Sequence, residues 1–391
     1  MINFGIDVRT MLKPFIIGIG FNIIPKNKRG DWLRKNLEKS GPTYIKIGQF
    51  ISNRSDIFGK DVSMSLKSLQ DTVEPIEWDS LAHLVPLEKF QSVDRKPIAT
   101  ASVAQVHRAK LNGRDVVLKI KKPGINRQLE DDVNGLKMLL QMFPFVDPKF
   151  LDEFERTLRK ELDFKRELKN LIEFGEIYSQ SSDVIVPKAY PAQCTDDILV
   201  MEYAPSDKSP VRSKTLINLF ISQLLFENVI HGDLHSGNIG TRGSSVILYD
   251  FGNVIRTSTR YRTSTRDFIY YVQQKDVDNT INTMKNMGMV IKNMKMTESF
   301  VNKFLRYIET LDVKSFKFDA DEITEKVPVE IDATTTCILR SFSLLEGYCK
   351  SQDPDFSYDD ILVQNLEILY MDIEYIFYRA KKDFELLQSG S

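Results

Sequence analysis

The feature that most constrains this chain is the stretch from His231 to Val254, which reads HGDLHSGNIGTRGSSVILYDFGNV. Asp233 is followed five residues later by Asn238, and an apolar run over residues 246–249 leads into Asp250. Magnesium prefers hard oxygen ligands from one or two carboxylates or amides, with water and phosphate completing its shell. Asn238 and Asp250 are predicted to supply such oxygens. Asp233 is predicted to lie where a hydroxyl or a water is positioned for attack.

The order of these residues matches the catalytic loop of a protein kinase, Asp-x-x-x-x-Asn, followed by the metal-binding Asp-Phe-Gly. Gly252 is expected to let the backbone turn sharply after the metal ligand. The alternative is a hairpin that carries a few polar residues by chance. A lone Asp-Phe-Gly is common, but its combination with Asp-x-x-x-x-Asn across one strand-like run is much rarer. The stretch therefore predicts binding of ATP and Mg²⁺.

Composition narrows the class of protein further. The 391 residues are 42% hydrophobic and 27% charged, which is ordinary for a soluble chain with room for two or three structural units. The net charge of −1 provides no basic field to gather nucleic acid. Cys194, Cys337 and Cys349 are odd in number and form no CxxC pair, so neither a zinc site nor a disulfide framework is indicated. This cysteine content fits a reducing compartment.

An apolar segment near the N-terminus, residues 14–24, bears on membrane contact. It is flanked by basic residues and is shorter than the roughly 18 apolar residues that a membrane span needs. It could be a short secretory segment, a transit peptide or an anchor that lies in the membrane interface. Asn22 interrupts it and no small-residue cleavage site follows. A helix docked on the protein surface is favoured, and peripheral membrane contact stays an alternative.

Residues 1–92 have a mostly helical pattern. Ser40-Gly41-Pro42 is a helix-start signal, and Lys46 and Gln49 in the following segment share a helix face. Gly48 lies between them, where it costs about 1 kcal/mol relative to alanine. A helix tolerates this cost when another group must approach closely. The residues of this segment alone favour an amphipathic helix with an exposed lysine and glutamine.

A β-hairpin is predicted over residues 96–120, with its turn at Asn112-Gly113 and Lys119 in the second strand. A lysine among β-branched residues is typical of the kinase strand whose ammonium bridges the α- and β-phosphates. The alternative is an ordinary edge-strand lysine. A turn of small residues stands where a kinase has its Gly-rich phosphate loop, and alanines should make it stiffer. Its candidate nucleotide-binding residues are Ala99, Ala101, Ser102, Val103 and Ala104.

A helix over residues 127–142 and a single long helix over residues 148–178 are predicted next. The long helix carries Glu161, Asp163 and Glu167, and a kinase needs one helix glutamate to orient the strand lysine. Spacing alone does not select which one.

Two strands follow, over residues 184–186 and 198–202, and then a helix over 216–229. In a kinase, the segment that contains Glu202 and Tyr203 would bond adenine through backbone groups. The remainder is helical in pattern, with a loop at residues 353–355 and a last helix over 360–387.

Several motifs now stand in one order: SGPTYIKIGQ, PIATASVAQVHRA, VVLKIKKPGI, KELDFKRE, VMEY, HGDLHSGN and YDFG. Over about residues 35–260 the chain resembles the UbiB family of atypical protein-kinase-like proteins. The resemblance implies an α+β, two-lobed kinase-like fold with an N-terminal helical extension. The expected parts are an extension over 1–92, an N-lobe over 93–204 and a C-lobe over 205–391. It also implies ATP and Mg²⁺ binding, and a link to isoprenoid quinone (coenzyme Q) biosynthesis and membrane lipids.

The resemblance also implies roles for individual residues. Lys119 resembles the nucleotide-binding lysine and Glu167 its helix partner. Glu161 and Asp163 resemble the family's ExD acids, and the segment containing Lys46, Gly48 and Gln49 resembles its KxGQ motif. In the family this helix covers the active site and meets the ExD acids, which suits a cationic lysine.

These resemblances imply an activity different from that of an ordinary protein kinase. Slow ATP hydrolysis, or phosphorylation of a small, lipid-like or quinone-precursor molecule, is expected. The alternative is a pseudokinase scaffold that acts through partners. The chain departs from the family pattern at Thr100, Ala104, Leu234 and Ser236, which leaves loop shape and nucleotide preference open.

Overall fold

A computed structural model describes residues 8–52, 59–66, 69, 75–142, 148–210, 213–310, 329–353 and 356. The chain divides into two compact units. The first unit holds residues up to Ser179 together with Val186–Ala204, and the second holds Gln180–Ile185 and the residues from Pro205 onward. The expected division into parts over residues 1–92, 93–204 and 205–391 stays a prediction.

The described helices are α1 Val8–Ile23, α2 Arg29–Ser40, α3 Pro42–Ser52, α4 Lys60–Leu66, α5 Trp78–Leu81, α6 Ile125–Met142, α7 Pro148–Glu161, α8 Phe164–Ile177, α9 Ser213–Phe226, α10 Thr259–Gln273, α11 Val277–Asn286, α12 Met294–Thr310 and α13 Ala333–Gln352. The described strands are β1 Ser92–Val93, β2 Ala99–Thr100, β3 Ala104–Leu111, β4 Arg114–Lys121, β5 Val184–Ile185, β6 Ile198–Glu202, β7 Val229–His231, β8 Ile239–Arg242, β9 Ser245–Leu248, β10 Val254–Arg256, β11 Val290–Ile291 and β12 Val329–Glu330. None of these helices is long and apolar enough to cross a membrane.

The first unit is built on an antiparallel sheet in the order β1-β3-β4-β6, with β2 also paired to β3. Asn112 and Gly113 both have positive φ, 50° and 76°, so the predicted tight turn between β3 and β4 is confirmed. Leu118 and Ile120 are buried in a cluster with Trp78 of α5. Because side chains alternate across a strand, Lys119 lies on the opposite face from this cluster.

The prediction of one helix over residues 148–178 is wrong, because the chain breaks between α7 and α8. Asp163 has non-helical backbone angles and its Oδ1 accepts a hydrogen bond from the Arg166 N–H at 2.9 Å. Aspartate is a preferred N-cap residue because its side chain satisfies such an otherwise unpaired donor. The break places Glu161 at the end of one helix and Glu167 in the first turn of the next. Asp163 and Glu167 therefore do not lie within one continuous helix: Asp163 precedes α8 as its cap, and Glu167 lies in its first turn.

The second unit contains a β8–β9 hairpin that joins the two predicted metal ligands. Ile239 pairs with Leu248, and the Tyr249 N–H donates to the Asn238 carbonyl at 2.9 Å. The hairpin thus brings Asn238 and Asp250 to the same end of the strands. The strand-like run over residues 246–249 is confirmed in β9, and β5 pairs in parallel with it.

Helices form most of the remainder of the second unit. The helix predicted over residues 216–229 begins earlier, at Ser213, and ends at Phe226, after which β7 pairs with β10. Phe220 of α9 packs against Phe342 of α13, with ring centroids 5.5 Å apart. Residues 354–355 of the predicted loop and the predicted helix over 360–387 lie outside the described residues.

Candidate functional site

Lys119 and Glu167 form a buried ion pair in the first unit. Nζ of Lys119 lies 2.7 Å from Oε1 and 2.9 Å from Oε2 of Glu167. The exposed fractions of the two side chains are 12% and 3%. Of the three acids that sequence spacing left open, Glu167 is the one that the structure places on the strand lysine. Charged groups removed from water are stable only when paired and hydrogen-bonded, and the two oxygens of Glu167 meet this need.

An aromatic ring that the sequence reasoning missed lies beside this pair. Phe164, the first residue of α8, has its ring centroid 5.5 Å from the Lys119 Nζ and 5.0 Å from the Lys121 Nζ. A cation near an aromatic ring is favoured when both are removed from water. The sequence offered no signal for this contact, because residues 148–178 were predicted as one continuous helix and the helix start at Phe164 was not expected.

The turn of small residues between β2 and β3 is closed against the sheet. The Ala101 N–H donates to the Ala104 carbonyl at 2.8 Å, and the Lys122 N–H donates to the Val103 carbonyl at 2.9 Å. Ser102, Val103 and Ala104 are buried, and none of residues 99–104 has a positive φ. The turn is therefore formed without the left-handed backbone that glycine provides. Contact of Ala99 and its neighbours with nucleotide stays a prediction.

Lys46 of α3 contacts the acid at the end of α7. Its Nζ lies 3.4 Å from Oε2 of Glu161, with exposed fractions of 18% and 31% for the two side chains. Gln49 donates through Nε2 to the Leu69 carbonyl at 3.2 Å. The interpretation of this segment as a helix with an exposed lysine and glutamine is therefore wrong. Asp163, the second acid of the predicted ExD pair, is exposed and caps α8.

The surroundings of Gly48 explain why the position between Lys46 and Gln49 is occupied by glycine. A Cβ atom at this position would overlap Cδ1 of Leu69 and lie 2.9 Å from Cδ1 of Leu37. Both leucines are buried, so they have little room to move. The close approach expected from the sequence is present.

Glu202 and Tyr203 lie at the end of β6 and in the residue that follows it. The Glu202 N–H donates to the Lys188 carbonyl at 2.8 Å, and the Tyr203 N–H donates to the Asp115 carbonyl at 3.1 Å. Both amide donors are thus engaged within the protein. Contact of this segment with adenine stays a prediction.

In the second unit, Asp233 and Asn238 contact each other across the loop between β7 and β8. Nδ2 of Asn238 donates to the Asp233 carbonyl at 3.0 Å and lies 3.4 Å from its Oδ2. Nε2 of His235 lies 3.5 Å from the same carboxylate oxygen. Burial acts to raise the pKa of Asp233, but the hydrogen bond and charge of His235 and the charge of Arg340 outweigh it. The pKa is therefore below its ordinary value, which favours an ionised Asp233.

Asp250 adopts a left-handed backbone conformation with φ of 53°. Its Oδ1 accepts a hydrogen bond from the Gly252 N–H at 3.0 Å. Aspartate is one of the few residues that tolerate this region, because its short side chain bonds locally. The chain bends at Gly252, as expected, and the positive φ falls on the aspartate rather than on the glycine. Backbone strain of this kind is concentrated at functional sites.

His231 holds the loop in place through both ring nitrogens. Nδ1 accepts from the Asp233 N–H at 3.3 Å, so Nε2 carries the proton and donates to the Tyr249 carbonyl at 3.0 Å. Burial lowers the pKa of His231 and outweighs the hydrogen bonds and carboxylates that favour its charged form. Its ring also packs edge-on against Phe251. The neutral imidazole thereby connects the Asp233 loop to the Asp-Phe-Gly segment.

The donor set of the second unit suits a hard cation. Asn238 and Asp250 offer an amide and a carboxylate, which is the chemistry that Mg²⁺ takes alongside phosphate oxygens and water. Within the described part of the chain, no group of three or more His, Cys, Asp or Glu residues could hold a metal ion. A magnesium ion at this place would therefore depend on phosphate to complete its shell.

The chain has a protein-kinase-like α+β fold. Its first unit contains a small β-sheet and the lysine–glutamate pair, and its second, mainly helical unit carries Asp-x-x-x-x-Asn and Asp-Phe-Gly. The chain belongs to the ABC1 atypical kinase-like family, whose domain model matches residues 68–284. This confirms the resemblance seen in the sequence, since proteins named UbiB are among its relatives.

Three related proteins show the extent of the similarity. ACTIVITY OF BC1 COMPLEX KINASE 8, a chloroplastic protein of Arabidopsis thaliana, is 30% identical over 84% of this chain and 52% of its own length. An uncharacterized Synechocystis protein is 29% identical over 85% of this chain and 63% of its own. The probable protein kinase UbiB of Xylella fastidiosa is 33% identical over 59% of this chain and 47% of its own. The chain thus spans roughly half to two thirds of these relatives.

Among solved structures, the chain is similar to Mycobacterium tuberculosis Rv3197, determined in complex with erythromycin. The TM-score is 0.58 with 20% sequence identity, over 88% of this chain and 95% of that one. At this level of identity the likeness shows the fold alone.

Proposed function

We propose that this protein binds ATP with Mg²⁺ and hydrolyses it slowly or transfers its γ-phosphate to a small or lipid-like acceptor. Lys119 would hold the α- and β-phosphates, Asn238 and Asp250 would hold magnesium, and Asp233 would orient the attacking hydroxyl or water. Magnesium would neutralise charge on the phosphates when bound. The observation that carries the proposal is the buried contact of Lys119 with both oxygens of Glu167.

The geometry of α3 supports an acceptor other than a protein. Lys46 is paired with Glu161, and Gly48 lets α3 approach Leu69 and Leu37 closely. These contacts fix α3 within the first unit. The resemblance to the UbiB family implies that this helix covers the groove in which a protein kinase holds its peptide substrate. A protein substrate would have to displace it, whereas a small molecule would not.

A link to isoprenoid quinone biosynthesis or membrane lipids is the further part of the proposal. The names of the relatives, UbiB and ACTIVITY OF BC1 COMPLEX KINASE, support it. So does an apolar stripe on α1 formed by Ile16, Ile19 and Ile23, whose exposed fractions are 60%, 52% and 74%. These three positions lie within about 60° of one another around a helix. We name this the α1 stripe.

The charges around the α1 stripe favour an anionic bilayer surface as its partner. Lys26 and Lys28 are exposed just beyond the end of α1, and no acidic residue occurs from residue 8 to residue 30. Apolar insertion combined with a basic patch is the pair of signals that holds a protein at a membrane surface. The acceptor would then be met at the interface.

The decisive experiment replaces Asp250 by asparagine. Asparagine also tolerates positive φ, so Asp250→Asn removes the metal-binding charge without straining the backbone. A ligand at a hundred times its Kd raises stability by about 2.7 kcal/mol, which a thermal-shift assay with MgATP would detect in the wild type. The variant should lose this shift and also release no phosphate.

Asp276→Asn is the matched control, because Asp276 caps α11 and asparagine is an equally good cap. It should keep the wild-type shift. Equal stabilisation of wild type and Asp250→Asn by MgATP would contradict the assigned metal ligand. Nucleotide binding without phosphate release, with or without lipid, would favour the alternative function of a scaffold.

A further inference from the structure

The carbonyl of His231 is held by a residue that no sequence motif indicated. Oγ of Ser341 donates a hydrogen bond to the His231 carbonyl oxygen at 2.9 Å. Both residues are fully buried. Ser341 lies on α13, outside residues 68–284 that match the family model. A helix beyond the matched domain therefore bonds directly to the residue that begins the candidate catalytic loop.

A second helix holds the other side of the same peptide backbone. The His231 N–H donates to Oε1 of Gln223 on α9 at 2.9 Å, and Gln223 is also buried. With the two ring nitrogens bonded to Asp233 and Tyr249, every polar group of His231 has a protein partner. The position and tilt of this residue are thus set by four separate bonds.

The Ser341 hydroxyl is used in an unusual way for a residue inside a helix. Serine within a helix commonly returns its hydroxyl to a carbonyl of its own preceding turn. Ser351, on the same helix, does so by donating to the Tyr348 carbonyl. Ser341 instead bonds to a different element. Alanine is close to serine in size and would occupy nearly the same space, so packing alone does not require a hydroxyl here.

A second residue of α13, Arg340, affects the charge of Asp233. The positive charge of Arg340 acts on the Asp233 carboxylate, and its side chain is exposed. Two neighbouring residues of α13 thus act on the loop, Ser341 on its buried backbone and Arg340 on its charge.

We propose that Ser341 is a positioning residue for Asp233, and that α13 is part of the catalytic apparatus. Ser341 fixes the His231 carbonyl, and the His231 ring in turn fixes the backbone N–H of Asp233. The inference rests on the proposed function, in which Asp233 orients the attacking group. Loss of the hydroxyl would let the loop shift, and small displacements of a reacting group reduce the rate steeply.

The test compares Ser341→Ala with Ser351→Ala, the same substitution on the exposed face of the same helix. Phosphate release by Ser341→Ala should show kcat reduced between about tenfold and a hundredfold with KM for ATP unchanged. Ser351→Ala should match the wild type. A raised KM with unchanged kcat, or unchanged values for both, would overturn the proposal.

A second measurement does not depend on turnover. Amide hydrogen exchange at residues 231–233 should become faster in Ser341→Ala while exchange in β4 of the first unit stays the same. If exchange is faster but kcat is unchanged, the hydrogen bond is structural only and the proposal fails. If the wild type shows no turnover at all, the proposed function fails. Faster local exchange would then still support positioning of the loop, and unchanged exchange would refute it.

Should Ser341→Ala lose stability throughout the second unit, Ser341→Cys provides the same two readouts. Its thiol is close in size to the hydroxyl group but donates only weakly. An intermediate kcat with local exchange between that of the wild type and Ser341→Ala is expected. Wild-type values for both quantities would contradict a role for the hydroxyl donor.

Discussion

Glu161 and Glu167 are six residues apart and pair with different lysines. Glu161 contacts Lys46 at 3.4 Å, whereas Glu167 contacts Lys119 at 2.7 Å. The helix break at Asp163 makes this possible, since it places the two glutamates on separate helices. Residues 161–167 thus join α3 and strand β4 to two consecutive helices.

The two pairs should respond differently to loss of the carboxylate charge. Glu167→Gln leaves a buried lysine without its counter-charge, so stability should fall by up to about 3–5 kcal/mol. Phosphate release should fall by about a hundredfold, because Lys119 is no longer oriented. Urea unfolding and steady-state phosphate release measure the two effects.

Glu161→Gln provides the matched comparison. Its pair with Lys46 is partly exposed, and such pairs contribute about 0–1 kcal/mol. A loss of stability in Glu161→Gln as large as that in Glu167→Gln would show that burial does not distinguish the two pairs.

The sequence predicted the local features well, since each is set by neighbouring residues. The Asn112-Gly113 turn follows from the ease of positive φ at those residues, and the strand β9 follows from a short apolar run. The position of Lys119 on Glu167 needed the resemblance, because spacing alone could not choose among three acids.

The features that were missed depend on competition between local and long-range effects. The apolar spacing of three and four continues across the break before α8, so periodicity suggested one helix where a capping aspartate begins a new one. The left-handed φ of Asp250 was not predicted, because Gly252, two residues later, is the residue of this segment that adopts a positive φ most readily. The bond from Ser341 to His231 spans 110 residues and has no sequence signature.

Gly48 and Gly175 should respond in opposite directions to substitution by alanine. At Gly48 the added methyl would overlap Leu69, and overpacking costs about 1–3 kcal/mol, which exceeds the gain of about 1 kcal/mol in helix propensity. At Gly175 of α8 nothing lies within 4 Å of the added atom, so only the gain remains. Urea unfolding should show that Gly48→Ala is destabilised and Gly175→Ala is stabilised. If both variants were stabilised, Leu69 and Leu37 would have to move away from the added methyl group at position 48 with no loss of stability.

The stability of the first unit should depend on pH through His107. Burial lowers the pKa of His107 below 6.5 and outweighs the bond and charge of Asp94, which favour the protonated form. His107 is therefore protonated more readily in the unfolded chain than in the folded protein. The free energy of unfolding consequently declines as pH falls below about 6.5. In His107→Phe this part of the decline should disappear. Free energies of unfolding in urea between pH 7.5 and pH 5.5 give the two slopes, and equal slopes would exclude His107 as a source.

The α1 stripe should determine binding to anionic membranes. Ile19→Glu places a charge within the stripe, and burying a charged side chain in the membrane interface is unfavourable by about 1.4 kcal/mol or more. Co-sedimentation of this variant with vesicles of phosphatidylglycerol and phosphatidylcholine should therefore be reduced by tenfold or more. Ile172→Glu, at a half-exposed isoleucine of α8 in the same unit, should bind as the wild type does. Binding should also weaken with added salt, because Lys26 and Lys28 contribute by charge. Equal binding of the wild type, Ile19→Glu and Ile172→Glu would place the membrane contact elsewhere. If the wild type did not bind vesicles, the lipid part of the proposed function would be refuted, whereas nucleotide binding would be unaffected.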